Sequence, residues 1–358
     1  MQQNRPQPEP RKLRDAQQYI LRLQDAMKKY LIDTSNGSNF TMRALESIKP
    51  GELILSERPL AELEAGLAST HDDTRFFNSP APFNAVGDIN FVVARMRPED
   101  RAAFRALRNG DNTAHTFQTN SFEDEVTYDS GLKYIYFRVY KDISRIDHSC
   151  VPNAIIEHLF ESKLGEIRAL RKVEAGEEIL INYAAPAKSS FQKSLARNVQ
   201  FESRWNFKCN CIACASNNQD SARVRLLYLY DTAKAAFFRH NEKPTQFHLR
   251  MVNILDEYTR ACMSLNITDT KLAEGYERLA NHHENLAVLA SKHYMTNPRR
   301  QHCAVCATDM HQKPHLNAAL AAAIASAEIM TKCCGRDNAA VQTANDRILE
   351  LVQHAATS

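Results

Sequence analysis

No run of apolar residues in the chain approaches the ~20 needed to cross a bilayer as a helix. The opening stretch, residues 1–10, is rich in Gln and Pro and lacks the apolar centre of a secretory signal. Membrane insertion and export are therefore not expected. The expected location is intracellular, and with no strong basic cluster near the termini, nucleus and cytoplasm stay equally open. Excess charge of one sign is also missing, since 45 Lys and Arg against 42 Asp and Glu leave a net charge of +3 over 358 residues. Neither nucleic acid nor an anionic membrane is thus indicated as the main partner. Internal self-similarity strong enough to name a repeat family is absent as well.

Hydrophobic residues make up 44% and charged residues 24%, the balance of a soluble folded chain rather than a disordered one. The length suggests about two or three domains. Nine cysteines in an intracellular chain point to thiols and metal ligands rather than disulfides. Three of them, Cys209, Cys211 and Cys214, fall at Cys-x-Cys-x-x-Cys spacing.

The periodicity of residues 12–30, with apolar positions at Leu13, Ala16, Ile20, Leu23, Met27 and Tyr30, predicts an amphipathic helix ending near Met27. Short strands are expected at 29–32, 40–45 and 52–56, around turns at 35–39 and 49–51. Pro98, followed by Glu99 and Asp100, opens a helix within a helical module. Strand texture returns at 132–140, 154–159 and 166–170. From Ser221 onward the pattern is helical, with stripes at Val224, Leu227, Tyr230, Ala233 and Phe237, then from Leu272, Leu316 and Val341. Gly335 fits a helix stop and Asp337 a following N-cap.

Between these regions lie the chemistry-bearing segments Arg145-Ile146-Asp147-His148-Ser149-Cys150-Val151-Pro152-Asn153, Gly176-Glu177-Glu178-Ile179-Leu180-Ile181-Asn182-Tyr183 and Phe207-Lys208-Cys209-Asn210-Cys211-Ile212-Ala213-Cys214. Thiolates on a tight turn converge on one point, and Zn²⁺ favours four such ligands. The fourth is open between Cys150 and His148, although strand alternation would turn His148 elsewhere. A second group, His302, Cys303, Cys306 and His311 with Cys333 and Cys334, matches no standard finger spacing, which favours ordinary surface or buried residues.

Together the three segments resemble the C-terminal half of a SET domain with its post-SET zinc loop, nearest to fungal SET proteins and the related SET and MYND methyltransferases. No MYND finger is seen. Asn36-Gly37-Ser38-Asn39, Lys49 to Leu55, and Thr119-Asn120-Ser121-Phe122 resemble the earlier half more loosely. The resemblance implies an α+β chain: an N-terminal extension over 1–28, and a β-rich SET domain over 29–185 with a helical insertion at about 70–118. A post-SET zinc loop over 186–217 and an all-α C-terminal region over 218–358 follow. It further implies transfer of a methyl group from S-adenosylmethionine to a lysine presented by a protein substrate. Tyr183 would be the catalytic hydroxyl. Asn36, Gly37, Ser38, Asn120, Asp147, His148, Tyr183 and Phe207 would hold the cofactor, with Trp205 beside Phe207, and Cys150, Cys209, Cys211 and Cys214 would bind Zn²⁺. A protein partner on the C-terminal helices is a further expectation.

Two positions depart from the family pattern. Asp147 stands where the family has Asn, and a carboxylate accepts hydrogen bonds where an amide can also donate. Asn39 replaces the second glycine of the turn and adds a side chain near the cofactor. The alternative expectation is therefore a catalytically weakened SET scaffold that binds a protein partner.

Overall fold

In this computed structural model the described residues are 28–36, 39–67, 86–108, 112–127, 133–159, 162–183, 190–215, 218–235, 237–296 and 312–357. The expected helix ending near Met27, the Gly37–Ser38 pair and the cluster at His302, Cys303, Cys306 and His311 lie outside them.

Strands β1 (Tyr30–Asn36) and β2 (Asn39–Ala44) form an antiparallel pair. Alternation along β2 sends Met42 and Ala44 into the core. After the turn at Lys49-Pro50-Gly51 comes β3 (Leu53–Glu57), then β4 (Ala61–Leu67). Among the described residues three helices follow: α1 (Val86–Arg95), α2 (Pro98–Arg105) and α3 (Thr113–Asn120). Pro98 and the acidic pair Glu99 and Asp100 open α2 as the sequence suggests. The Asn112 side chain caps α3 by accepting from the His115 amide at 2.9 Å.

Strands β5 (Ser121–Thr127) and β6 (Lys133–Val139) join β4 in a sheet ordered β4-β6-β5. The central strand is buried on both faces. Ile135, Phe137 and Val139 pack on Ile89, Val93, Phe104 and Phe117 of the three helices. On the other face Arg138, 2% exposed, pairs with Glu62 at 2.7 Å and with Asp124, so its buried charge is matched on both flanking strands.

After a 3-10 turn at Ile143–Arg145, β7 (Asp147–His148), β8 (Ala154–Leu159), β9 (Leu164–Ala169) and β10 (Leu180–Ile181) complete the β region. A sheet ordered β3-β9-β8 and the parallel pair β7-β10 result. One core joins them, with Met42, Ile48, Tyr140, Ile143, Ile146, Ile167, Val173, Ile179 and Ile181 all sealed from solvent. Gly165 is required here, because a Cβ would lie 2.7 Å from the Tyr140 ring.

Helices α4 (Ser194–Trp205) and α5 (Ile212–Ala215) bracket the cysteine loop. Beyond them run α6 (Asp220–Lys234), α7 (Pro244–Ser264), α8 (Thr270–Thr296), α9 (Gln312–Cys334) and α10 (Ala339–Thr357), each packed against the next, while α9 also touches β8 and β9. Among the described residues no helix is long and apolar enough to cross a membrane.

Two sequence expectations are corrected here. Of the stripe expected along α6, Tyr230 and Ala233 are buried but Val224, 40% exposed, and Phe237, 70% exposed, are not; Arg223, Leu226 and Leu229 complete the buried face. Arg223 turns its guanidinium inward to backbone carbonyls, which puts a charged residue on the buried face beside Val224. Asn338, not Asp337, caps α10, accepting from the Ala340 amide at 2.9 Å. Gly335 does end α9, in left-handed geometry at φ +85°.

Candidate functional site

Asn153 is the clamp of the site. Its side-chain oxygen accepts from the Leu180 amide at 2.8 Å, and its nitrogen donates to the Glu178 carbonyl at 2.7 Å and to Glu177 Oε1 at 3.0 Å. Those bonds hold the segment from Asp147 to Asn153 against the segment from Gly176 to Tyr183. Pairing of Asp147 with Leu180 and His148 with Ile181 follows. Gly176, at φ +81°, supplies the turn that brings the second segment in.

His148 sits where these segments meet the cysteine loop. Its Nδ1 accepts from the Tyr183 amide at 3.0 Å, which leaves the ring hydrogen on Nε2, 3.3 Å from Cys150 Sγ. The expectation that His148 faces away from the cysteines is thus corrected. The two-residue strand ends at His148, so alternation does not continue through Ser149 and Cys150. Burial pushes the His148 pKa down to about 3, keeping the ring neutral.

The sulfur atoms of Cys150, Cys209, Cys211 and Cys214 all lie within 4.8 Å of one another. Cys150 Sγ is 4.0 Å from Cys209 Sγ and 3.6 Å from Cys214 Sγ. Four sulfurs held tetrahedrally at ~2.3 Å from a zinc ion would be ~3.8 Å apart. Asn206, left-handed at φ 54°, ends α4 and turns the chain into the loop. The Asn198 side chain then accepts from the Cys209 amide at 2.7 Å. Among the described residues this is the only such group of metal-ligand types. Cys333 and Cys334 are instead buried against Leu170 and Val341.

An open cleft of about 730 Å³ lies against the loop, lined among others by Asp147, His148, Glu178, Tyr183, Trp205 and Phe207. Its aromatic wall is layered, with Phe201 stacked on Phe207 at 5.3 Å, His148 over Phe201 at 4.3 Å, and Trp205 5.3 Å from Tyr183. A small side cavity, lined by Phe40, Asn120, Arg145 and others, shares Arg108, Thr119, Asp147, Tyr183 and Trp205 with the cleft. The Tyr183 hydroxyl donates to the Ile146 carbonyl. Burial, with Asp147 nearby, pushes its pKa further up, so the group is a neutral hydroxyl. Burial also pushes the Asp147 carboxyl up to about 6, with Arg108 drawing it down and Glu178 adding to the rise.

Asp147, His148, Tyr183 and Phe207 are thus brought to one cleft, and Cys150, Cys209, Cys211 and Cys214 to one point beside it. Asn120 lines only the side cavity. Its side-chain nitrogen donates to the carbonyls of Arg108 and Thr116 at 2.9 and 2.7 Å, leaving its oxygen as the atom that could meet a ligand. Asn36 ends β1, but its side chain, like Gly37 and Ser38, lies outside the described residues. Sequence reasoning passed over Phe201, Arg197, Arg223 and Arg108. Each sits in or beside a helix whose polar spacing reads as a solvent face, and only the aromatic run Phe201, Trp205, Phe207 offered a signal.

Residues 39–184 match the family profile of the SET domain. The chain is 26% identical over 133 residues to N-lysine methyltransferase SMYD2 of Homo sapiens, covering 37% of this chain and 28% of that protein. It is 28% identical over 130 residues to N-lysine methyltransferase SMYD2-B of Xenopus laevis, covering 35% and 28%. The matches therefore span a little over a quarter of these relatives' length. A crystal structure of the SET domain of LSMT bound to lysine and AdoHcy superposes over 97% of this chain and 94% of that one, at 13% identity and a TM-score of 0.34, too loose to bear on the site. From the profile match and the segments assembled above, the chain carries a SET domain over residues 39–184.

Proposed function

We propose that the chain is a protein-lysine N-methyltransferase that uses S-adenosylmethionine, with Zn²⁺ holding its post-SET loop. The observation that carries this reading is the Tyr183 hydroxyl, anchored on the Ile146 carbonyl inside an aromatic-walled cleft of a SET domain. The names of the SMYD2 relatives point the same way. On this reading the domain spans about 29–185, the zinc loop 186–217 and a helical region 218–358.

The residues present fit both groups. Four sulfurs within 4.8 Å of one another suit zinc, with Cys150 tying the SET core to the loop. A cleft of about 730 Å³ with an aromatic wall and a polar end suits a nucleoside bearing an amino-acid tail. Phe207 would face the adenine, while Asp147 and the Asn120 oxygen would accept from the tail's ammonium group. When bound, S-adenosylmethionine supplies a sulfonium methyl, and the bond from the lysine nitrogen to carbon forms as the sulfur–carbon bond breaks.

The chain's own task is to present a neutral amine in line. A free lysine has a pKa of ~10.4, and walls such as Trp205, Phe207 and Tyr183 disfavour the ammonium by withholding water. Tyr183 donates its proton to Ile146, so its oxygen lone pairs can accept an N–H from the amine and orient it. The transfer itself needs geometry more than acid or base catalysis, which agrees with a site holding a neutral His148 and a neutral Tyr183.

A specific observation favours a second reading, a weakened scaffold: Asp147 and Glu178 line one cleft and would repel the cofactor's carboxylate. Calorimetric titration of zinc-replete chain with S-adenosylhomocysteine separates the two. One-to-one binding is expected. No binding, restored by Asp147→Asn, would favour the scaffold.

A further inference from the structure

Among the described residues three arginines are almost completely buried: Arg138, Arg197 and Arg223. A guanidinium remains charged inside a protein, so each must meet a counter-charge or carry a large desolvation cost. Arg138 shows the usual solution, flanked by Glu62 and Asp124. Arg197 and Arg223 make no ion pair with any described carboxylate.

Arg197 meets a sulfur of the cysteine cluster, and Arg223 meets the backbone of one of its members. From α4, Arg197 Nη2 donates to Cys214 Sγ at 3.1 Å and to the Ala213 carbonyl at 3.1 Å, and Nη1 donates to the Gln192 carbonyl. From the first turn of α6, Arg223 Nη2 donates to the Cys150 carbonyl at 3.3 Å and to Gln219 Oε1 at 3.1 Å, while Nη1 donates to the Ser190 carbonyl at 2.7 Å. The Nε of each lacks a hydrogen-bond partner, so neutral acceptors do not account for either charge. Four thiolates around Zn²⁺ carry a net charge of about −2. Two guanidinium groups bring that to zero, whereas four neutral thiols would leave two buried cations unmatched.

We propose that Arg197 and Arg223 are the counter-charges of a metal-loaded tetrathiolate, and that through Arg223 the bound metal holds the first turn of α6, and so the start of the C-terminal helical region, against the SET domain. The inference rests on the zinc reading of Cys150, Cys209, Cys211 and Cys214. Both arginines are positioning residues, acting through the cluster rather than on substrate.

Zinc affinity of the full chain, measured by competition with a chromophoric chelator, tests the first half. Arg197→Met and Arg223→Met are each expected to weaken zinc at least tenfold with the circular dichroism of the wild type, and the charge-keeping Lys variants to recover part of the loss. Wild-type affinity in both Met variants would overturn the proposal while leaving the zinc reading intact. A wild-type chain that binds no zinc would remove both. Hydrogen exchange on the unaltered chain tests the second half without any variant that could misfold. Chelation is expected to speed exchange across residues 220–227 while α1 stays protected, and unchanged protection of 220–227 would overturn the coupling.

Discussion

The backbone amide of Tyr183 donates to His148 Nδ1 at 3.0 Å, and the two rings stand 5.2 Å apart. One histidine therefore fixes the residue proposed for catalysis and, through Nε2, faces a sulfur of the proposed zinc site. The position of the Tyr183 hydroxyl and the state of the cysteine loop are linked across a single ring.

If that hydroxyl orients the amine, Tyr183→Phe should lower methyl transfer by roughly 100-fold, the scale of losing one aligned polar group at a reacting centre. S-adenosylhomocysteine affinity and zinc content should stay within about twofold, because the ring is kept. Turnover with labelled S-adenosylmethionine and calorimetry on the same sample check both.

Asp147 makes a pH-dependent prediction. Its folded pKa, about 6, lies above the ordinary value of an unfolded chain, so the folded state holds this proton more tightly. The associated stabilisation is complete at low pH and is lost as the pH rises through about 6. Asp147→Asn should then be more stable than wild type by about 1–2 kcal/mol at pH 8, after allowing for solvent screening, with the gain gone by about pH 4. Urea unfolding at the two pH values is the measurement, and an equal difference at both would contradict the assignment.

Asn153→Ala removes the partner of the Leu180 amide and of the Glu178 carbonyl in a site only 1% exposed. Leaving these groups unpaired should cost about 2–4 kcal/mol of stability and free Tyr183 from its register. As a control, Leu195→Ser, at a position 75% exposed, should shift stability by no more than about 0.5 kcal/mol.

Two glycines should fail for different reasons. At Gly165 a Cβ meets the Tyr140 ring, whose hydroxyl is bonded to His158 Nδ1 at 2.9 Å, so Gly165→Ala should cost about 1–3 kcal/mol by overpacking. Around Gly176 nothing lies within 4 Å, and Gly176→Ala should cost about 1 kcal/mol through its positive φ alone. Thermal unfolding of the two variants ranks them, and a larger loss at Gly176 would reverse the account.

Much of the site was legible because its signals are short-range. Cys209, Cys211 and Cys214 fall within a span of six residues, and the segments ending at Asn153 and Tyr183 carry turn and strand residues that act on their immediate neighbours. Partners that meet only in three dimensions were not legible. Arg197 and Arg223 sit in helices among polar residues, and nothing in their local spacing says that a cysteine cluster waits on the buried side. The same cause hid the start of the buried face of α6, at Arg223 rather than Val224, since an inward arginine breaks the rule that charge marks the wet face. His148 was misjudged because two residues of strand are too few for alternation to carry forward.

The most direct test of the central claim is mass spectrometry of a protein extract incubated with zinc-replete chain and isotopically labelled S-adenosylmethionine. The account predicts labelled methyl groups on lysine side chains with the wild type and their loss with Tyr183→Phe. Labelled lysine undiminished in Tyr183→Phe, or no label at all while S-adenosylhomocysteine binds, would contradict it.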